Sequence, residues 1–127
     1  MKIVSTTNAP SAIGPYSQAV QVGDFLFCSG QIALDKNGSL VDGGIAQQTH
    51  QIFHNIEAIL TEANLTLENV AKTTVFLSNM NNFVEVNEIY SNYFKDHKPA
   101  RSCVEVSRLP KDVLIEIEII AYNNTNK

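Results

Sequence analysis

Apolar positions first gather with a few polar ones in the β-prone run Ser17-Gln18-Ala19-Val20-Gln21-Val22, and a second such run, Phe25-Leu26-Phe27-Cys28, follows after Gly23-Asp24. Two such runs joined by a glycine-containing pair predict a tight hairpin, because glycine supplies the positive φ of the connecting turn. Ile13-Gly14-Pro15-Tyr16 ahead of them reads as a stiffened loop carrying an aromatic, while Asn37-Gly38 and Gly43-Gly44 mark a second irregular stretch. The period then changes. Ile45, Ile52, Phe53, Ile56, Ile59, Leu60 and Ala63 fall on one stripe of a helix, and Asn64 stands where a left-handed C-terminal cap is expected. Residues 70–77, rich in Thr and Val, predict a strand. Asn82 and Glu85 have the spacing of a helix-starting capping box, with Phe83, Val86, Tyr90, Tyr93 and Phe94 as the buried face. Beyond Pro99, a short strand is expected over Arg101 to Val106 and the longest one over Val113 to Ala121.

The order strands, helix, strand, helix, strands predicts one α+β domain over residues 1–127, with two helices on one face of the sheet. The last strand bears on the other face. Val113, Ile115, Ile117, Ile119 and Ala121 point one way, and Leu114, Glu116, Glu118 and Ile120 the other. A solvated face is usually more polar than the second set, so partial cover by a partner chain is expected.

Composition narrows the function. With 44% hydrophobic and 17% charged residues, a packed core is within reach, and Cys28 and Cys103 need not form a disulfide. The first residues lack the layout of a signal peptide and no apolar run approaches the ~20 residues of a membrane span. A cytoplasmic chain with reduced thiols and no membrane partner is the expectation. A net charge of −4 with no basic run argues against nucleic acid.

The segment Pro99-Ala100-Arg101-Ser102-Cys103-Val104-Glu105-Val106 carries the most chemistry. Alternation puts Arg101 and Cys103 on one face of a strand. Arg101 reads either as a surface ion-pair partner of Glu116 or Glu118, or as a clamp whose planar guanidinium grips a carboxylate. Cys103 reads as a small packing residue rather than a nucleophile, with no partnering histidine nearby in sequence. His50 and His54 share a helix face opposite the apolar stripe without the intervening glutamate of a metalloprotease motif, and no glycine-rich phosphate loop occurs. Neither metal nor cofactor is expected.

Several segments in order resemble one family. Ala12-Ile13-Gly14-Pro15-Tyr16-Ser17-Gln18-Ala19, Ser29-Gly30-Gln31-Ile32, Asn55-Ile56, Lys72-Thr73-Thr74-Val75-Phe76, Val86-Asn87-Glu88-Ile89-Tyr90, Pro99-Ala100-Arg101-Ser102 and Leu109-Pro110-Lys111-Asp112 together are similar to the Rid (YjgF-type) family, RidA subfamily. The resemblance implies a chorismate-mutase-like α+β fold assembling as a homotrimer, with sites at the subunit interfaces. It implies hydrolysis of enamines and imines such as 2-aminoacrylate and 2-iminobutanoate to 2-keto acids and ammonia, without a cofactor. By position it assigns carboxylate binding to Arg101 and water activation to Glu116, with Tyr16, Ser29, Gly30, Asn87 and Cys103 lining the pocket. Glu118, on the same strand face as Glu116, is a rival that physics alone does not separate. One departure is Lys98, which precedes Pro99 where an aromatic often stands.

In the chemistry so implied, Arg101 and the backbone N–H of Cys103 hold the substrate carboxylate. Glu116 orients a water and moves protons, best with its pKa raised by burial; Tyr16 closes the pocket, and Gly30 lets the backbone approach the ligand. This reading requires the Arg101 guanidinium and the Glu116 carboxylate to converge in one cavity. Other readings are a keto-acid-binding regulatory trimer without turnover, and an RNA-cleaving translation inhibitor, against which the acidic charge speaks.

Overall fold

The computed structural model describes residues 1–124. The chain forms strands Lys2–Val4 (β1), Ala19–Val22 (β2) and Phe25–Gln31 (β3), helix Ile45–Glu62 (α1), strand Val70–Leu77 (β4), helix Phe83–Phe94 (α2), and strands Ala100–Glu105 (β5) and Ile115–Tyr122 (β6). One sheet runs in the order β1-β2-β3-β6-β4-β5. Every neighbouring pair is antiparallel except β4 and β5. That parallel pair requires a crossover, and α2 supplies it.

The hairpin forms at Gly23, whose φ of 58° is the left-handed value that its turn demands. α1 runs as its stripe predicts. It stops where Asn64 turns to φ 60°, and Gln47 closes its start by accepting from the Gly44 N–H at 3.0 Å. The core lies between the helices and one sheet face. Ile52, Phe53, Ile56, Ile59 and Leu60 of α1 are buried with Leu26, Val75, Leu77 and the odd-numbered positions of β6. Phe53 ties the two helices together, stacking on Tyr93 at 4.3 Å and meeting Tyr90 and Phe94 edge-on.

Three local expectations are corrected. Asn82 makes no side-chain cap, because its own backbone is already helical, and a 3-10 turn over Met80–Asn82 begins the helix one turn early. Asn79 caps that turn by accepting from the Asn81 N–H at 2.9 Å. β6 begins at Ile115 rather than Val113, since a second 3-10 turn over Pro110–Asp112 delivers the chain there, and β4 equals it at 8 residues. β1, too short for a readable alternation, pairs with β2 at the sheet edge.

The face away from the helices is open in this chain. Val22, Phe25, Phe27, Val104 and Tyr122 are exposed on it, and Glu116 and Ile120 are partly buried. Among the described residues, no helix is long and apolar enough to cross a membrane.

Candidate functional site

The open face of the sheet meets the 10–18 segment and the Pro110 turn in a cleft of about 690 Å³. Tyr16, Ser29, Gly30, Glu116 and Glu118 line it, with Pro10, Ile13, Ile32, Leu34 and Lys111. Each wall has a cause. The buried amide of Gln18 accepts from the Thr6 N–H at 2.7 Å and donates to the Pro10 carbonyl at 2.7 Å, pinning the segment that carries Tyr16. Asn55 reaches out of α1 and donates to the Leu34 carbonyl at 2.9 Å, which fixes the opposite wall. Ser29 uses its hydroxyl internally, donating to the Ser17 carbonyl at 2.6 Å.

Glu116 comes up from β6 on the floor of this cleft. Opposite it β3 is irregular: Cys28 pairs with Ile119 and Gln31 with Ile117, so three steps on β3 span two on β6. Such a bulge re-aims side chains and frees backbone beside a site. Gly30 sits in the bulge, and a β-carbon built there would fall 2.9 Å from Glu116 Cδ and closer still to Oε2. Glycine is the residue that permits this contact. Burial pushes the Glu116 pKa up, and repulsion from Glu118 on the same face pushes it further. Strand alternation alone left these two carboxylates unranked, and the resemblance implied Glu116. The structure separates them: Glu118 is exposed, while Glu116 is partly buried against Gly30.

Arg101 lies elsewhere. Across the sheet, Arg101 pairs in register with Thr73 and Thr73 with Ile119, both buried on the helix side. Glu116 pairs with Phe76, and Phe76 with Val104, on the open side. Within one chain the guanidinium and the carboxylate therefore do not share a cavity: they occupy opposite faces of one sheet. The alternative of an ion pair between Arg101 and Glu116 or Glu118 fails for the same reason.

What the guanidinium does instead is well defined. Nη1 donates to Asn87 Oδ1 at 2.8 Å, and Cζ lies 4.8 Å from the Tyr90 ring centroid and 5.5 Å from that of Phe83. Tyr90 is itself fixed by a 2.8 Å hydrogen bond to the buried Thr73 hydroxyl. These contacts hold the group at the edge of β5 while leaving most of its five N–H donors unused. Cys103 lies on the same face and packs partly against the core; burial raises its thiol pKa, although nearby Arg101 opposes this. Its contact with the core fits a small packing residue. Cys28, buried, is pushed up to about 12. His50 is hydrogen-bonded to the Tyr93 hydroxyl at 2.9 Å.

Two half-sites thus emerge: Tyr16, Ser29, Gly30 and Glu116 in the cleft, and Asn87, Arg101 and Cys103 at the β5 edge. Gln18, Ile32, Leu34 and Lys111 were not singled out by reasoning from sequence.

The sequence model of the endoribonuclease L-PSP family matches residues 6–123. A RutC family protein of Pyrococcus horikoshii is 57% identical over 122 residues, 95% of this chain and 97% of its own. The mouse protein named 2-iminobutanoate/2-iminopropanoate deaminase is 50% identical over 121 residues, 94% of this chain and 90% of its own. A Yersinia pestis protein described as a member of the conserved Rid family superposes with a TM-score of 0.93 at 50% identity, over 95% of this chain and 98% of that one. The chain belongs to the Rid (YjgF) family.

Proposed function

We propose that this protein hydrolyses reactive 2-imino acids, the tautomers of enamines such as 2-aminoacrylate, to 2-keto acids and ammonia, at sites completed between copies of the chain in a homotrimer. The observation that carries the reading is the Glu116 carboxylate, held against Gly30 in a cleft with its pKa raised by burial. The mouse relative's name supports the reaction class. The exposed apolar positions on the open sheet face support association, since such a face is stabilised by covering it.

The chemistry follows from the two half-sites. Arg101 of a neighbouring copy meets the cleft and grips the substrate carboxylate through two parallel hydrogen bonds, with the Cys103 N–H beside it. Glu116, ionised, accepts a proton from water as the oxygen adds to the carbon of the protonated imine, giving a 2-amino-2-hydroxy acid. Returned to nitrogen, that proton turns the amine into a leaving group. The C–N bond breaks as the hydroxyl loses its proton and becomes the ketone. Water enters, ammonia leaves, and no electrons are exchanged. Tyr16 covers the cleft mouth. The reaction already proceeds in water, so positioning with one acid–base group, about 10²–10⁴-fold, is enough.

The test couples the protein to a serine or threonine dehydratase that releases the intermediate. Wild type is expected to speed ammonia and keto-acid release, Arg101→Ala to abolish the gain, and Glu116→Ala to cut it by about 10²–10⁴-fold. Equal rates with and without wild-type protein would contradict the proposal.

A further inference from the structure

Two carboxylates line the cleft, Glu116 and Glu118, and among the described residues Lys111 is its single cation. The ammonium group of Lys111 is spent on nothing inside the chain. Among the described residues it forms no ion pair and takes part in no hydrogen bond. Asp112, the acid beside it in sequence, is already taken: Arg108 donates to its Oδ1 from Nε at 2.8 Å and to its Oδ2 from Nη2 at 3.4 Å. A lysine that stays unpaired with two carboxylates in the same cleft, in a chain of net charge −4, keeps its charge available to a ligand.

The backbone beneath Lys111 is held from both sides. Its φ of 56° and ψ of 21° are left-handed, a conformation that costs energy in a residue with a β-carbon, and Asp112 follows at φ 54°. Such geometry persists where the surroundings over-determine it, and it gathers at functional sites. Here the Asp112 N–H donates to the Leu109 carbonyl at 3.0 Å, while Arg108 grips the Asp112 side chain. On the far side Gln48, buried on α1, accepts from the Leu114 N–H at 2.9 Å. A clamped turn thus carries Lys111 at the cleft wall. The proposed substrate is itself an anion, whose entry two like charges oppose and one fixed cation favours.

We propose that Lys111 is a substrate-binding residue of this cleft, whose ammonium group draws in a carboxylate-bearing ligand against Glu116 and Glu118. The inference rests on the hydrolase reading for its class of ligand, a 2-imino or 2-keto acid. A stable probe is 2-oxobutanoate, titrated calorimetrically into the intact protein. Removing one charge several ångströms from the ligand should weaken binding about fivefold at low salt in Lys111→Gly. Near about 1 M salt, where the Debye length falls to about 3 Å, variant and wild type should converge. Lys111→Arg should bind as wild type does, and so should Lys2→Ala, which removes the same charge from β1. Glycine suits the left-handed backbone, so Lys111→Gly should melt no lower than wild type. Lys111→Asn, which also tolerates that backbone, repeats the test. The proposal is overturned if wild type does not bind the keto acid, if Lys111→Gly binds as wild type does at low salt, or if its deficit persists undiminished at high salt. Turnover is read separately in the dehydratase assay. Binding as described without faster ammonia release would overturn the hydrolase reading and leave this inference standing.

Discussion

Glu116 owes its raised pKa first to burial and then to Glu118, and both causes favour the protonated form in the folded protein. The sign of the stability effect follows. A carboxyl whose folded pKa exceeds its ordinary 4.5 contributes stability that is complete below that value and lost as pH rises through the raised one. Glu116→Gln should therefore unfold at a higher temperature than wild type near neutral pH, with the difference shrinking toward pH 4.5. Melting curves of both proteins across that range check this. Gly30 is the second residue on which the site turns. In Gly30→Ala the new methyl group meets the movable end of Glu116, so the carboxylate swings away while the strand survives. Turnover should fall about 10²-fold, with circular dichroism and melting temperature close to wild type, since small misplacements of a reacting group cost that much.

At the scale of elements, the Pro110 turn that walls the cleft carries strain. Lys111 has φ 56° and Asp112 φ 54°, two consecutive left-handed residues without a glycine. The exposed Arg108–Asp112 ion pair at 2.8 Å spans the turn, but a surface pair contributes only about 0.2–1 kcal/mol. Lys111→Gly should stabilise the protein by about 1 kcal/mol in denaturant titrations; no gain would mean that the neighbouring contacts already compensate for the geometry. This turn was not legible in sequence, because Pro-Lys-Asp carries no glycine to announce positive φ. Elements with long period were legible. The α1 stripe, the Gly23 hairpin and the β6 alternation each repeat a burial pattern over several residues. Caps were harder: Asn79 and Asn82 both suit a helix start, and the intervening 3-10 turn decides between them.

For the whole molecule, alternation along β5 tells that Arg101 and Cys103 share a face but not which face of the sheet. That depends on register with β4 and β6, where Thr73 and Phe76 set Arg101 and Glu116 apart. The resemblance named the candidate residues; their division between two places on the sheet was not legible, because it is a property of strand order. The same division gives the open sheet face its meaning. In the proposed reaction, a chain that presents a carboxylate cleft on one side and an arginine edge on the other completes its site with a second copy. The decisive measurement mixes two inactive variants, Arg101→Ala and Glu116→Gln, dissociated and reassembled together, in the coupled dehydratase assay. If sites form between copies of a trimer, about a quarter of them regain both side chains in a random mixture, and activity returns from two inactive preparations. A mixture as inactive as its components, with wild type active after the same treatment, would contradict a site shared between chains.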